Sequence, residues 1–560
     1  MTPYASKPWL AHYASGHTAT IDQDYPDALS LFRAAVARAP HARALLYFDG
    51  AISYSELDQQ SDALACAWLE RGLARGDRVA IYLQNVPQFV IALVAAWKIG
   101  AIAVPVNPMN RSRELRVLLA DSAARVLVCH GTLYDDVVLP LLAEDDTLKP
   151  HVMTTSALEY QTRNDARLFA GMTHADGATA TAGISHAGAE DFATAIAAHS
   201  GQKPPPIELH GDDIAMFVYT SGTTGVPKGA MNTHGNMAFN AQVYRDWVGL
   251  REGAPILGVA PLFHITGLVG HVGAAFICAA PLVLAYRFEP GVILDAIAEH
   301  KPEFTIGAIT VFIALMNDAR ATREHFASMR RIYSGGAPIP PSVIEAFRAR
   351  FGHYIHNGYG LTETNSPTHV VPVGRDAPVD AASGTLSIGV PAFNVESYIG
   401  DDMGRPLPAG EVGEIISRGP MVVPGYWNKP QESAKAIVDG FFRTGDVGFM
   451  DEHGWFYLVD RKKDMINAGG YKVWPREVED VLYTHPAVRE AAVVGVPDSY
   501  RGETVKAVVS LKPQASATPE ELVEYCKARM AAYKYPRIVA IIDELPKTVT
   551  GKILRRELRG

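Results

Sequence analysis

Between residues 78 and 129, short apolar runs alternate with segments of helical periodicity, a rhythm that few folds accommodate. Arg78–Leu83 (RVAIYL), Ala101–Val106 and Arg125–Cys129 read as buried strands, with helices over Pro87–Ile99 and Glu114–Ser122 between them. Strands without apolar–polar alternation are covered on both faces, and parallel neighbours need a crossover of about helix length. The same rhythm recurs from Ile214 to about Tyr359. The expected fold class is therefore α/β, with doubly wound sheets.

At 560 residues the chain is too long for one simple core. Its last hundred residues follow a different pattern: a helix at Pro475–Tyr483, strands at Val488–Val496 and Val505–Leu511, a helix at Pro519–Met530 and a strand at Ile538–Ile542. This predicts a small, mobile α+β domain over 461–560 behind a large N-terminal domain over 1–460. The charged run Asp460–Asp464 forms the boundary, as a solvated turn or a hinge. Gly171–Gly211, rich in Ala, Gly, Thr, Ser and His, reads as an insertion or mobile crossover with a short helix in its Ala-rich middle.

Composition removes several function classes. With 48% hydrophobic and 20% charged residues the chain is a folded enzyme type, not a disordered one. A net charge of −9 argues against nucleic acid as a partner. The four cysteines form no CxxC pair, which points to a reducing, cytoplasmic setting without a thiolate metal site. The nineteen histidines include no HExxH spacing. The N-terminal residues lack the plan of a signal peptide. Ile265–Tyr286 approaches the length of a membrane span, but His271, its glycines and Pro281 make it a buried helix followed by a strand. Peripheral membrane contact and a homodimer stay open.

The chemistry starts at Tyr219–Ala230, YTSGTTGVPKGA, directly after the apolar run Ile214–Val218. Glycines let a backbone approach an anion, and successive N–H groups with hydroxyls surround phosphate oxygens. Thr220, Ser221, Gly222, Thr223, Thr224 and Gly225 supply those groups, and Lys228 adds a positive charge. A Walker A loop needs Gly before its Lys and Ser or Thr after it; here Pro227 precedes and Gly229 follows. The loop resembles the signature of the adenylate-forming superfamily of acyl-CoA synthetases, adenylation domains and luciferases. Further motifs follow in the same order, so the resemblance runs from about Ile52 to Arg559.

That resemblance implies roles for particular residues. Gly335, Gly336, Ala337 and Pro338 would line an adenine pocket, with Tyr359 packed near the base. Thr362 would contact the α-phosphate, and Glu363 would help hold Mg²⁺, for which one carboxylate plus ATP phosphates can suffice. Asp446 and Arg461 would bind ribose. Lys552 would be the catalytic lysine, neutralising charge between the acid and the α-phosphate. Lys463 would be the pivot of a domain rotation, and Gly469 and Gly470 would line a pantetheine tunnel for CoA. Asn467 stands where relatives carry Lys, so no thioester-step lysine carries over there. His264, in Phe263–Gly267, is either a residue that positions or gates the acid or a satisfied core histidine. The segments Gly413–Trp427 and Gly454–Tyr457 look structural.

Asp460–Ile466, Trp474–Asp480, His485-Pro486 and Gly551–Leu558 look like bacterial fatty-acyl-CoA synthetases. The resemblance thus implies a ligase that activates a medium- or long-chain carboxylic acid with Mg²⁺ and ATP and transfers it to CoA. An aryl-CoA ligase, an acyl-AMP ligase loading a carrier protein, and a noncatalytic acyl- or nucleotide-binding protein are the alternatives.

Overall fold

The computed structural model describes residues 4–170, 172, 186–220, 227–337, 339–381, 384–461, 464–468, 471–498, 502–548 and 553–559, with only the backbone of 460, 461, 471 and 472. Three sheets organise it.

The first sheet is seven-stranded, with strand Arg78–Tyr82 near its middle. Ile102–Pro105 lies parallel on one side of that strand and Val126–His130 parallel on the other. The chain therefore winds outward in both directions from Arg78–Tyr82, as the apolar runs predict. The intervening helix Pro87–Lys98 is buried along its whole length, with Pro87 at its first turn. Pro is well placed there because the first-turn N–H has no intrahelical partner. The helix ends on a buried ammonium: Lys98 Nζ lies 2.6 Å from both Asp58 and Asp62 carboxylates.

Part of the 171–211 segment departs from the expected insertion. Glu190–Asp191 adds a parallel strand beside His151–Thr155. Helix Phe192–Ala198 then starts on an Asp191 cap and buries Phe192. This stretch completes the sheet rather than interrupting it. That helix, FATAIAA, is the short one expected in the segment's Ala-rich middle; residues 171 and 173–185 lie outside the described residues.

The second sheet has fourteen strands and changes character along its width. From Arg43–Tyr47 through Leu282–Leu284, Ile256–Leu257, Phe304–Gly307 and Arg331–Ser334 to Ile355–Leu361 the strands are parallel. Beyond Ile355–Leu361 the pairings are antiparallel. Doubly wound topology thus ends where the helix-length crossovers end. Ile265–Ile277 forms one buried helical stretch with a π-helical middle, followed by strand Leu282–Leu284. Among the described residues no helix is long and apolar enough to cross a membrane.

The third sheet, five-stranded, starts at Ile466. Gly502–Leu511 pairs antiparallel with Val488–Asp498 and parallel with Ile538–Ile541. Helix Pro475–Tyr483 packs Val478 and Leu482 into a core built, among the described residues, from this sheet and its own helices. Arg476, 3% exposed, reaches back to the second sheet's connections, its guanidinium donating to the Ile339 carbonyl at 3.2 Å.

Candidate active site

The loop after Ile214–Thr220 is a hairpin. Strand Lys228–Thr233 returns antiparallel, with Thr220 opposite Lys228, and only then does helix His234–Val248 begin. A Walker-type loop would run straight into a helix N-terminus. Lys228 thus stands at the start of a strand and not at a helix N-terminus. Ser221, Gly222, Thr223, Thr224 and Gly225 lie outside the described residues; Thr220 and Lys228, at the hairpin's two ends, are half-buried.

Thr362 and Glu363 sit on one 3-10 turn, Thr362–Thr364, between strands Ile355–Leu361 and Ser366–Val370. Asn365 (φ 51°) and Ser366 (φ 81°) follow in the left-handed region, which non-glycine residues adopt at a cost of about 1–3 kcal/mol each. Buried amides hold them there. Asn240 Nδ2 donates to the Thr364 and Asn365 carbonyls at 3.1 and 2.7 Å, and Asn232 Nδ2 donates to the Thr362 carbonyl at 2.9 Å. Gly360 is required by the same hairpin, since a Cβ would overlap the Ser366 carbonyl.

Glu363 is 8% exposed, and Tyr426 Oη donates to its Oε1 at 2.7 Å. Burial, and then the Glu363 carboxylate, push the Tyr426 phenol far above its ordinary value, so it is a donor at any working pH. Tyr426 is tied to the hairpin's outgoing strand. Met231 N–H donates to the Gly425 carbonyl at 3.0 Å and Trp427 N–H to the Gly229 carbonyl at 2.8 Å. Lys228 lies 5.1 Å from the centre of the Tyr426 ring and forms a 2.7 Å ion pair with Glu432. Segment Gly413–Trp427 is therefore more than framework: its last residues join the proposed metal carboxylate to the proposed phosphate lysine. Neither Tyr426 nor Asn232 was singled out by motif.

Tyr359 and Asp446 also meet. Tyr359, 8% exposed, donates from Oη to Asp446 Oδ2 at 2.8 Å. Asp446 lies opposite Arg461 in the antiparallel register of Phe441–Met450 and Phe456–Arg461. Below Tyr359 lies His369, fully buried, its ring centre 5.7 Å away. Burial lowers the His369 imidazole to about 3, so it stays neutral.

Gly335, Gly336 and Ala337 turn away from the end of Arg331–Ser334. A Cβ at Gly335 would lie 2.5 Å from the Gly358 carbonyl oxygen, and Gly336 has φ +78°, so both need glycine. His264 is half-buried and starts the helical turn Ile265–Gly267, its Nδ1 accepting from Thr266 N–H at 3.3 Å. Pro338, Lys463, Gly469, Gly470 and Lys552 lie outside the described residues, as does the side chain of Arg461.

Among the described residues no group of three or more His, Cys, Asp or Glu could hold a metal ion. Glu363, with one oxygen already accepting from Tyr426, does not make a resident metal site. It fits an ion that arrives with ATP, whose phosphates and waters supply the other ligands.

The AMP-binding enzyme family matches residues 32–427, and the AMP-binding enzyme C-terminal domain matches 477–552. The chain belongs to the AMP-binding enzyme family. It is 36% identical to a long-chain-fatty-acid–CoA ligase of Bacillus subtilis (strain 168), covering 99% of this chain and 98% of that one. It is 33% identical to a feruloyl-CoA synthase of an Amycolatopsis species, covering 93% and 96%. The anthranilate CoA ligase AuaEII, solved with anthranoyl-AMP, superposes with a TM-score of 0.83 at 27% identity, covering 96% of this chain and 97% of that one.

Proposed function

We propose that this chain is an ATP-dependent fatty acid–CoA ligase that activates a medium- or long-chain acid as acyl-AMP and transfers it to CoA. The observation that carries the reading is its end-to-end similarity, at 36% identity, to a long-chain-fatty-acid–CoA ligase. In the first step a carboxylate oxygen attacks the α-phosphorus of ATP, the bond to the β-phosphate bridge breaks, and pyrophosphate leaves. In the second the CoA thiol, losing its proton, attacks the acyl carbon, and AMP departs with the C–O electron pair.

Thr220, Ser221, Gly222, Thr223, Thr224, Gly225 and Lys228 grip the outer phosphates in this reading. Gly335, Gly336, Ala337, Pro338 and Tyr359 bind adenine, and Asp446 and Arg461 bind ribose. Thr362 holds the α-phosphate, and Lys552 neutralises charge as the acid attacks. Glu363 would hold the Mg²⁺ that accompanies ATP, which screens the phosphate charge. His264 positions the acid. Domains 1–460 and 461–560 rotate about Lys463 between the steps, and Gly469 and Gly470 leave space for pantetheine. The enzyme works in the cytoplasm on acid, ATP and CoA without nucleic acid; peripheral contact with a membrane that supplies acid, and a homodimer, belong to the same proposal.

An aryl-CoA ligase is the second reading, favoured by 33% identity to a feruloyl-CoA synthase. Both readings require AMP and acyl-CoA in equal amounts, formed only when acid, ATP and CoA are present together. Release of ADP and phosphate, or acyl transfer to a carrier protein without CoA turnover, would overturn them.

A further inference from the structure

We propose that Asn85 is a positioning residue for the acid, acting through the loop that carries His264; this rests on the reading of His264 given above. Asn85 belongs to the connection after strand Arg78–Tyr82 of the first sheet, whereas residues 258–264 follow strand Ile256–Leu257 of the second. One side chain crosses between them. Asn85 Nδ2 donates to the Gly258 and Ala260 carbonyls at 3.2 and 3.0 Å, and its Oδ1 accepts from Leu262 N–H at 2.8 Å. The Asn85 backbone meanwhile exchanges two hydrogen bonds with Tyr286, just beyond strand Leu282–Leu284. Asn85 is 7% exposed, so these bonds are made away from bulk water.

The other flank of the loop is held by the helix that His264 starts. His271, fully buried in the π-helical turn Leu268–Gly273, accepts from Ala260 N–H through Nε2 at 3.1 Å. Burial lowers its imidazole to about 3, keeping that nitrogen an acceptor. Ala260 is thus gripped at both its N–H and its carbonyl, four residues before His264. Strands of parallel sheets open onto ligand crevices at their C-terminal ends, and this clamp fixes the spacing of two sheets at such ends. An amide alone among side chains of this size donates twice and accepts once here. Asn85→Asp keeps the acceptor for Leu262 but turns a carboxylate toward two carbonyl oxygens.

The test combines Asn85→Asp, Asn85→Ala and His264→Ala with the double variant Asn85→Asp/His264→Ala, assayed by acid-dependent ATP–pyrophosphate exchange and by calorimetric ATP binding. Asn85→Asp is expected to raise the KM for the acid about tenfold or more while the Kd for ATP stays within about twofold. The double variant is expected to be no worse than His264→Ala, because both changes act on one loop. Multiplying effects, or equal loss of ATP affinity, would overturn the proposal. Hydrogen exchange on the unmodified protein supplies a reading that needs no variant to fold: the Ala260 and Leu262 amides should be protected relative to Phe263, and fast exchange at both would contradict the clamp. If His264→Ala alone left the acid KM unchanged while Ala260 and Leu262 were protected, the role of His264 would fail and the clamp would survive without its link to the acid.

Discussion

Tyr426 Oη and Glu363 Oε1 are 2.7 Å apart, and that bond joins two segments that a motif reading keeps separate. Glu363 sits on the turn just before the left-handed Asn365 and Ser366, while Tyr426 is bridged to Ala230 on strand Lys228–Thr233. A shift of the hairpin on binding phosphates would therefore reach the carboxylate directly.

Tyr426→Phe removes this donor and leaves a buried carboxylate oxygen short of one partner. Hydrogen bonds to charged groups contribute about 1.5–3 kcal/mol, so kcat/KM for adenylation should fall about ten- to a hundredfold. The Mg²⁺ concentration for half-maximal pyrophosphate exchange should rise, and ATP binding in EDTA should hardly change. An unchanged Mg²⁺ dependence would remove Tyr426 from the site.

Lys228 is paired with Glu432 at 2.7 Å, so in the proposed reading phosphates would compete with that carboxylate. Both side chains are partly exposed, at 33% and 41%, and such pairs are weak. Glu432→Gln should tighten ATP binding roughly two- to fivefold, whereas Lys228→Ala should weaken it. Calorimetric titration separates the two directions.

Gly335 and Gly336 differ in what they forbid. Gly335→Ala would press a methyl against the Gly358 carbonyl at 2.5 Å and should raise the KM for ATP at least tenfold by moving the turn. Gly336→Ala meets nothing within 4 Å but must hold φ +78°; it should cost about 1 kcal/mol of stability and affect KM less. Steady-state kinetics with thermal melts distinguishes the pair.

Burial raises the Asp480 carboxyl to about 6, against a smaller opposing effect of Arg476, whose Nε is 3.4 Å away. The folded state therefore binds the proton more tightly than the unfolded chain. Its stabilising contribution is complete below about pH 4 and is lost as pH rises through about 6, a difference of about 3 kcal/mol. Asp480→Asn should flatten the pH dependence of unfolding of the last hundred residues between those limits. Hydrogen exchange in helix Pro475–Tyr483, followed from pH 4 to 7, reads it out.

Legibility in the sequence followed the range of the interactions. Helix Pro475–Tyr483 and the strands near 78–130 were readable because local period and apolar runs dictate them. The antiparallel half of the second sheet was not, since its strands lack the crossover helices that announce a partner. Tyr426 and Asn232 escaped for a related reason. Tyr426 acts on a carboxylate 63 residues away and Asn232 on a carbonyl 130 residues away, and no spacing marks pairings of that kind. The strand Glu190–Asp191 was hidden by Ala- and Gly-rich neighbours that read as linker, whereas the short helix after it, Phe192–Ala198, falls in the Ala-rich middle where one was expected.

The identity of the acid decides between the two readings, and one measurement reads it directly. A panel of saturated fatty acids from short to long chain, with ferulate, benzoate and anthranilate alongside, should be assayed for CoA-dependent AMP release at matched concentrations. The highest kcat/KM is expected with a medium- or long-chain fatty acid, with acyl-CoA and AMP formed in equal amounts. Turnover of the aromatic acids with none of the fatty acids would contradict it.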